Sequence, residues 1–264
     1  MRSLGLALAL VLVLAADASG AVRDLRVRVG GELRSYRLFE PSAPPRQTVL
    51  MFHGGRMTGA EMADYTGFDA VAERERWAVA YPNGVAGHWN SGACCRSTSA
   101  QRRDDVRFFD ALRRDLVRRG LPAGRVAVTG FSEGAFFSYR LACQRARRVR
   151  AVAAVAGTMV FGPCHASRPV PLTSVWMQRD NLVPVAGRPG FPSAAAVSRF
   201  WRNRNRCRLR SRGVTPNWSV ERGRRCSAPY TSFVMRGAGH GWPSLATGLV
   251  IDAITGAAPT SLRY

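Results

Sequence analysis

The chain contains no lysine, so all 39 of its basic residues are arginines, and against 17 acidic residues they give a net charge of +22. A surface with this excess attracts polyanions through long-range electrostatics that weaken with salt. Two interpretations stay open: non-specific contact with a polyanion or an anionic cell surface, and a solvated basic face that keeps the protein soluble. No RNA- or DNA-binding motif accompanies the arginines, so we expect no specific nucleic-acid partner.

Histidine is also scarce. The chain has only four, and neither a C-x-x-C nor an H-x-x-x-H spacing occurs. Zinc sites usually depend on such spacings. We therefore expect no metal site, and nothing in the sequence calls for an organic cofactor.

Long apolar runs are missing beyond the N-terminus. There, Arg2 precedes an apolar run over residues 4–16 that ends in Ala16-Asp17-Ala18, the pattern of a secretory signal with an A-x-A cleavage site. The run is too short for a comfortable transmembrane helix. We predict a signal peptide over residues 1–20, no transmembrane segment, and a protein secreted to the periplasm or the extracellular space. Cleavage after Gly20 is a second option, and an uncleaved anchor is the less favoured alternative.

Six cysteines follow this segment. In an exported protein, cysteines in even number suggest disulfides. We expect Cys207 to pair with Cys226, because this pair closes a local arginine-rich loop. The other four are expected to join Cys94 and Cys95 to Cys143 and Cys164, in an order that the sequence leaves open.

The most informative segment is Gly130-Phe131-Ser132-Glu133-Gly134, which reads G-x-S-x-G. It follows an apolar strand-like run at residues 126–129 and precedes a helical pattern from Ala135. Glycines allow a tight turn in which a Cβ would clash. A strand, such a turn and a helix form the nucleophile elbow that lifts a serine above the sheet edge. We predict Ser132 as the nucleophile, and a cysteine peptidase is excluded because a serine holds this position.

An acid and a histidine follow in the order that α/β-hydrolases use, serine, then acid, then histidine. Asp180 comes just after the strand-like residues 172–177, and His240 lies in a glycine-flanked loop after residues 231–235. We predict that Ser132 attacks, that His240 takes its proton, and that Asp180 orients the imidazole. The alternative for Asp180 is a solvated turn residue, since Asp-Asn favours turns.

A candidate oxyanion hole precedes the elbow. The apolar strand-like residues 48–52 run into His53-Gly54-Gly55, like the His-Gly-Gly segment of lipases and esterases. We predict that the backbone N–H groups of Gly55 and Glu133 bind the developing oxyanion. An ordinary glycine turn is the alternative.

Together with other segments, these motifs resemble the secreted polyhydroxybutyrate depolymerase and feruloyl esterase group of α/β-hydrolases. Besides the elbow, the matching residues are His53-Gly54-Gly55, Ala80-Tyr81-Pro82-Asn83-Gly84, Trp89-Asn90, Cys94-Cys95, Asp104-Asp105-Val106, Leu141-Ala142-Cys143, residues 151–157, Cys164, Asp180, Cys207, Cys226 and Gly239-His240-Gly241-Trp242-Pro243. The resemblance implies a secreted serine esterase that cleaves hydroxyalkanoate oligomers or feruloyl and other cell-wall esters.

Three positions depart from the family pattern, and all lie beside the predicted site. The family often has Asn or Ala after the nucleophile, where this chain has Glu133, and a polar residue or cysteine after His-Gly, where it has Gly55. Met177-Gln178-Arg179 replaces a His-Gly-Thr-like turn before the acid. These departures bear on substrate preference and leave the triad intact.

Aromatic residues suggest an acyl pocket. We predict that Trp89 and Trp242 bind substrate, the latter because it lies two residues from His240. Phe136 is a further candidate, although Phe136 and Phe137 fit equally well as core residues behind the elbow.

Strand and helix patterns alternate along residues 21–264, which predicts one α/β-hydrolase domain with a mainly parallel sheet and helices on both faces. Gly30-Gly31 between alternating runs predicts an opening hairpin. Helices are expected over residues 104–119, 194–203 and 244–254, and the stretch from the second of these to Cys226 is interpreted as a loop insertion. No appended binding module is seen, which favours soluble or oligomeric substrates.

Two other functions remain open. A serine peptidase of the prolyl-oligopeptidase type shares the fold and the triad order, but the vicinal Cys94-Cys95 and the absence of a propeller-sized domain disfavour it. The other is an inactive, basic polyanion- or surface-binding protein on a hydrolase scaffold. The complete set of Ser132, Asp180 and His240 argues against that interpretation.

Overall fold

The computed structural model describes residues 20–92, 94 and 103–257. The predicted signal peptide, apart from Gly20, and Cys95 therefore lie outside the described residues. In the described part of the chain, no helix combines the length and the apolar character needed to cross a membrane.

Ten strands among the described residues form one sheet in the order β1-β2-β4-β3-β5-β6-β7-β10-β9-β8. They are β1 (Ala21–Val29), β2 (Glu32–Glu40), β3 (Gln47–Phe52), β4 (Trp77–Pro82), β5 (Val126–Phe131), β6 (Val149–Val155), β7 (Leu172–Met177), β8 (Leu209–Val214), β9 (Trp218–Arg224) and β10 (Tyr230–Met235). Pairing is parallel from β4 through β3, β5, β6 and β7 to β10, and antiparallel at both ends of the sheet.

Helices cover both faces of this sheet. They are α1 (Gly59–Thr66), α2 (Phe68–Glu75), α3 (Asp105–Arg118), α4 (Glu133–Gln144), α5 (Ala194–Arg204) and α6 (Ser244–Thr255). One core cluster contains apolar residues of α3, α4 and α5, and a second cluster contains those of α1, α2 and α6. The predicted α/β-hydrolase architecture, mainly parallel with helices on both faces, is confirmed.

The burial of the strands explains why their sequences differ. Every residue of the central strands β3, β4, β5 and β7 is buried, which matches their continuous apolar runs. The edge strand β1 is largely exposed and pairs with β2 across the Gly30-Gly31 turn, the predicted hairpin. Gly30 has φ +62°, a backbone conformation that glycine adopts without strain.

The interpretation of the stretch before Cys226 as a loop insertion is wrong. Its residues form β8 and β9, an antiparallel hairpin that extends the sheet from β10. Arginines at 210 and 212 lie on the outermost strand, where charge discourages pairing with another chain. Because this strand is exposed, it lacks the apolar run by which the buried strands were recognised.

The disulfides differ in part from expectation. Cys207 is bonded to Cys226, the expected pair, and the bond closes the β8–β9 hairpin. The expectation that Cys94 and Cys95 would pair with Cys143 and Cys164 is wrong, because Cys143 is bonded to Cys164. The end of α4 brings those two Cα atoms to 5.2 Å, within the normal disulfide range. Cys94 is also disulfide-bonded.

Candidate active site

The turn between β5 and α4 holds Ser132 in a strained conformation, with φ 53° and ψ −116°. A non-glycine residue at positive φ is costly, and such strain is typical of functional turns. The glycines on either side of this turn are also required, because no room exists there for a Cβ atom. A Cβ on Gly130 would overlap the backbone of Gly134, and a Cβ on Gly134 would overlap the backbone of Phe52.

Replacing Gly134 with alanine is expected to lower the free energy of unfolding by about 1–3 kcal/mol, as overpacking in a dense interior does. The added methyl group would push on Phe52, so we also expect loss of activity. Gly124→Ala is the matched control, because a Cβ there meets nothing within 4 Å. Urea denaturation of both variants measures the effect, and equal midpoints would contradict the steric argument.

Ser132, His240 and Asp180 form one chain of hydrogen bonds. His240 Nε2 lies 3.0 Å from Ser132 Oγ, and His240 Nδ1 lies 2.7 Å from Asp180 Oδ2. The other oxygen of Asp180, Oδ1, accepts from the backbone N–H groups of Leu182 and Val183 at 2.8 and 2.7 Å. The Asp180 side chain is only 1% exposed, so these donors compensate for the loss of water around its charge.

The two predicted oxyanion donors have no hydrogen-bond acceptor in the part of the chain that the structure describes. Among the described residues, neither the Gly55 nor the Glu133 backbone N–H donates to another group. Neighbouring bonds hold the His53-Gly54-Gly55 segment in place. His53 Nε2 accepts from the Gly84 N–H at 2.9 Å, and Trp89 Nε1 donates to the His53 carbonyl at 3.0 Å. The assignment of the Gly55 and Glu133 N–H groups to an oxyanion hole stays a prediction, with which their lack of a partner among the described residues is compatible.

His53 is fully buried, and burial lowers the pKa of its imidazole from 6.5 to about 4. It therefore stays neutral, and with Nε2 accepting from Gly84 its Nδ1–H donates to the Gly54 carbonyl at 2.7 Å. Protonation would remove the Nε2 acceptor beneath the candidate oxyanion segment.

We expect this histidine to make stability depend on pH. Because its pKa is lower in the folded than in the unfolded state, the unfolded chain binds more protons between pH 6.5 and 4. The His53 contribution, about 3 kcal/mol from the shift, is present above pH 6.5 and is lost as the pH falls towards 4. NMR titration of the His53 ring tests this directly. A midpoint near 6.5 would contradict it.

Asp105 anchors the segment that precedes the vicinal cysteines. Its carboxylate pairs with Arg34 at 2.8 Å and accepts from the Asn90 N–H at 2.7 Å, with both charged side chains buried. Asp104 instead caps the start of α3 by accepting from the Arg107 N–H. These aspartates of the Asp-Asp-Val motif therefore support the site from outside the hydrogen-bonded Ser-His-Asp chain.

A cleft of about 330 Å³ opens over Ser132 and His240. Its walls are largely apolar and aromatic, formed among others by Phe131, Phe136, Leu182, Val183 and Phe191. A neighbouring cavity of about 700 Å³ shares Arg188 and Phe191 with this cleft. The two spaces together have room for an ester much larger than an acetate.

The predictions for the two tryptophans are wrong. Trp89 is 2% exposed and stacks on Phe137 in the core, and its Nε1–H donates to the His53 carbonyl. Trp242 is also buried, and its Nε1 donates to Thr247. Neither is among the described residues that line the cleft. Trp242 was predicted to bind substrate because it lies two residues from His240, but its side chain is directed into the core.

Sequence reasoning missed several cleft residues. Phe131 precedes the nucleophile, while Leu182 and Val183 follow the acid, so adjacency to the predicted triad was an available signal. His88, Arg188 and Phe191 come from loops distant in sequence, and nothing local marked them. Among the described residues, no group of three or more His, Cys, Asp or Glu side chains is arranged to hold a metal ion.

Comparison with known proteins decides the family. No protein-family model matches the chain. A probable feruloyl esterase C of Aspergillus terreus is 30% identical over 211 residues, which cover 75% of this chain and 71% of that protein. The chain belongs to the feruloyl esterase-like family of α/β-hydrolases. It is a carboxylic ester hydrolase.

Other relatives of this feruloyl esterase-like enzyme agree. The putative esterase NocK of Nocardia uniformis subsp. tsuyamanensis is 29% identical over 262 residues, covering 86% of this chain and 75% of that protein. The acetyl xylan esterase from Aspergillus awamori superimposes with a TM-score of 0.64 at 12% identity, covering 85% of this chain and 95% of its own. An S-formylglutathione hydrolase from Agrobacterium tumefaciens gives 0.62 at 10% identity, with 92% and 96% covered. These structural matches show the fold alone.

Proposed function

We propose that this ester hydrolase works through an acyl-enzyme formed on Ser132, with His240 as general base and acid and Asp180 as the residue that orients it. The observation that carries the proposal is the continuous hydrogen-bonded chain from Ser132 Oγ through both ring nitrogens of His240 to Asp180. A nucleophile within reach of a base that a third group orients is the arrangement covalent acyl transfer needs.

The reaction follows from these contacts. As Ser132 Oγ attacks the ester carbon, His240 Nε2 accepts the hydroxyl proton, and the carbonyl oxygen becomes an oxyanion beside the Gly55 and Glu133 N–H groups. Collapse of this intermediate breaks the bond to the alcohol, which leaves with the proton from His240. Water then attacks the acyl-enzyme, gives a proton to His240, and releases the acid and free Ser132. Each oxyanion donor of this kind is worth about 3–4 kcal/mol of transition-state stabilisation.

We propose feruloyl and other cell-wall esters, or hydroxyalkanoate oligomers, as substrates. The aromatic walls of the cleft support an aromatic acyl group, and the adjoining cavity supports a larger ester. Relatives named feruloyl esterase C point the same way. The hydroxyalkanoate alternative rests on the sequence resemblance.

We further propose that residues 1–20 are a signal peptide and that residues 21–264 act as one secreted catalytic domain. The N-terminal pattern and the disulfides support export to an oxidising compartment. Non-specific contact with polyanions rests only on the net charge of +22.

The test is hydrolysis by the purified, oxidised protein of nitrophenyl acetate, methyl ferulate, a hydroxybutyrate oligomer and a prolyl nitroanilide. We expect turnover of the esters, with the highest kcat/KM naming the substrate branch, and little turnover of the anilide. Preferential cleavage of the anilide would support the peptidase alternative. Ester turnover without covalent labelling of Ser132 by a fluorophosphonate would contradict the proposed mechanism.

A further inference from the structure

Two of the positions that depart from the family pattern, Gly55 and Glu133, are coupled in space. A Cβ on Gly55 would overlap Oε1 of the Glu133 side chain and lie 2.8 Å from its Cδ. Any larger residue at position 55 would therefore displace this carboxylate. The glycine leaves room for Glu133 beside the nucleophile.

The carboxylate of Glu133 is held by a histidine that belongs to another loop. His88 Nδ1 lies 3.1 and 3.0 Å from its two oxygens, and the Glu133 side chain is only 9% exposed. Burial raises the pKa of Glu133, while the hydrogen bond from His88 opposes that rise. A buried carboxylate needs such a donor. In return, Glu133 fixes the proton of His88 on Nδ1.

This arrangement leaves the second ring nitrogen of His88 for a ligand. His88 lines the same cleft as Ser132 and His240, and its side chain is 19% exposed. Among the described residues, its Nε2 has no hydrogen-bond partner. The backbone is fixed as well, because the His88 N–H donates to the Val85 carbonyl at 3.1 Å. The ring is therefore held in a set orientation before any substrate arrives.

We propose that His88 Nε2 binds a free hydroxyl group of the substrate and that Glu133 is the residue that positions His88. The enzyme then selects hydroxyl-bearing esters, such as phenolic or hydroxyacyl esters, or esters of polyols. This inference rests on the proposed esterase mechanism and deepens it. With Nδ1 protonated towards Glu133, neutral His88 offers a lone pair at Nε2, to which a hydroxyl donates.

A hydroxyl suits this site better than other groups. An apolar group placed against Nε2 would exclude water and leave this nitrogen without a hydrogen bond, which is unfavourable. A carboxylate has no proton to donate to the neutral ring. A polar group that recognises a hydroxyl therefore discriminates mainly by penalising the analogue that lacks it.

The experiment measures kcat/KM for matched esters with and without the hydroxyl. One arm varies the acyl part, with methyl ferulate against methyl 3,4-dimethoxycinnamate and nitrophenyl 3-hydroxybutyrate against nitrophenyl butyrate. The other varies the alcohol, with ethylene glycol monoacetate against ethyl acetate. We expect at least one pair to show a preference of about 10-fold or more for the hydroxyl, equivalent to about 1.4 kcal/mol. The pair that shows it locates the group.

Variants assign that preference to His88. His88→Leu is expected to bring the ratio to about 1, chiefly through KM, whereas His88→Gln, with an amide near the Nε2 position, keeps part of it. His165→Leu is the matched control, because His165 is exposed and is not among the described residues that line the cleft. Glu133→Ala should lower the ratio, and Glu133→Gln should restore part of it, since the amide oxygen still accepts from Nδ1. Both keep the backbone N–H at position 133.

The outcomes separate the two proposals. If the wild type hydrolyses all the esters with ratios near 1, the hydroxyl site is wrong and the esterase mechanism stands. A preference for the hydroxyl-bearing ester that persists in His88→Leu also contradicts the proposed hydroxyl site. Where a variant unfolds, binding of ferulate and dimethoxycinnamate to the Ser132→Ala protein gives the same comparison at equilibrium, and equal affinities there count against the site. Absence of turnover on every ester would instead remove the proposed mechanism.

Discussion

Replacing Ser132 with alanine is expected to lower kcat for ester hydrolysis by about 10⁵–10⁶-fold. The hydroxyl oxygen is the atom that forms the acyl-enzyme, and the chain His240–Asp180 has nothing to activate once it is gone. The variant should still hydrolyse the ester about 10³–10⁴-fold faster than the uncatalysed rate. The predicted oxyanion donors of Gly55 and Glu133 are backbone groups, which this substitution does not remove. KM should change little by comparison.

The measurement is steady-state hydrolysis of nitrophenyl acetate, with fluorophosphonate labelling followed by peptide mass analysis. Ser227→Ala serves as the control, because Ser227 is exposed and its backbone N–H, not its side chain, is what bonds to Asn205. We expect the control to keep wild-type kcat and labelling. A fall in kcat of less than about tenfold in Ser132→Ala would show that the serine is not the nucleophile.

Much of the fold is visible in the sequence because buried parallel strands are apolar on both faces. Strands β3, β5 and β7 stood out for this reason, and the partly buried β10 was predicted as well. Each of the four ends where a site residue was expected. Their carboxyl ends lie at one edge of the sheet, so chain order alone predicted that Ser132, Asp180 and His240 would be neighbours.

The rest depends on contacts that no local pattern encodes. The exposed β8 strand has no apolar run, and the pairing of Cys143 with Cys164 depends on where α4 ends in space. Trp89 was predicted to contact substrate, but its indole N–H donates to the His53 carbonyl from within the core. Aromatic residues serve cores and pockets equally well, so composition cannot distinguish the two roles.

Pairs of residues from distant segments are the hardest to foresee. In the sequence, Glu133 and Gly55 are separate departures from the family pattern. In the structure they form one feature, because Gly55 has no side chain and so leaves room for the Glu133 carboxylate. His88 completes it from a third segment. Under the proposal above, substrate preference depends on this cluster, which forms only when the Gly55 turn, the His88 loop and the start of α4 come together.

Asp180→Asn is expected to lower kcat by about 10⁴-fold near pH 7 while leaving the fold intact. The reason lies in the two backbone donors at Oδ1. The N–H groups of Leu182 and Val183 need an acceptor, so the asparagine carbonyl must take that position. Its NH₂ group then faces His240 Nδ1 and can only donate to it.

That donation forces the wrong tautomer on the histidine. With Nδ1 accepting, the proton of neutral His240 sits on Nε2, which then donates to Ser132 Oγ and has no lone pair to receive the serine proton. Steady-state kinetics with a thermal unfolding curve measures both parts of the prediction. Asp24→Asn is the control, since that carboxylate is 74% exposed and pairs only with Arg37 among the described residues. A fall in kcat of less than about tenfold with an unchanged melting temperature would mean that another group orients His240.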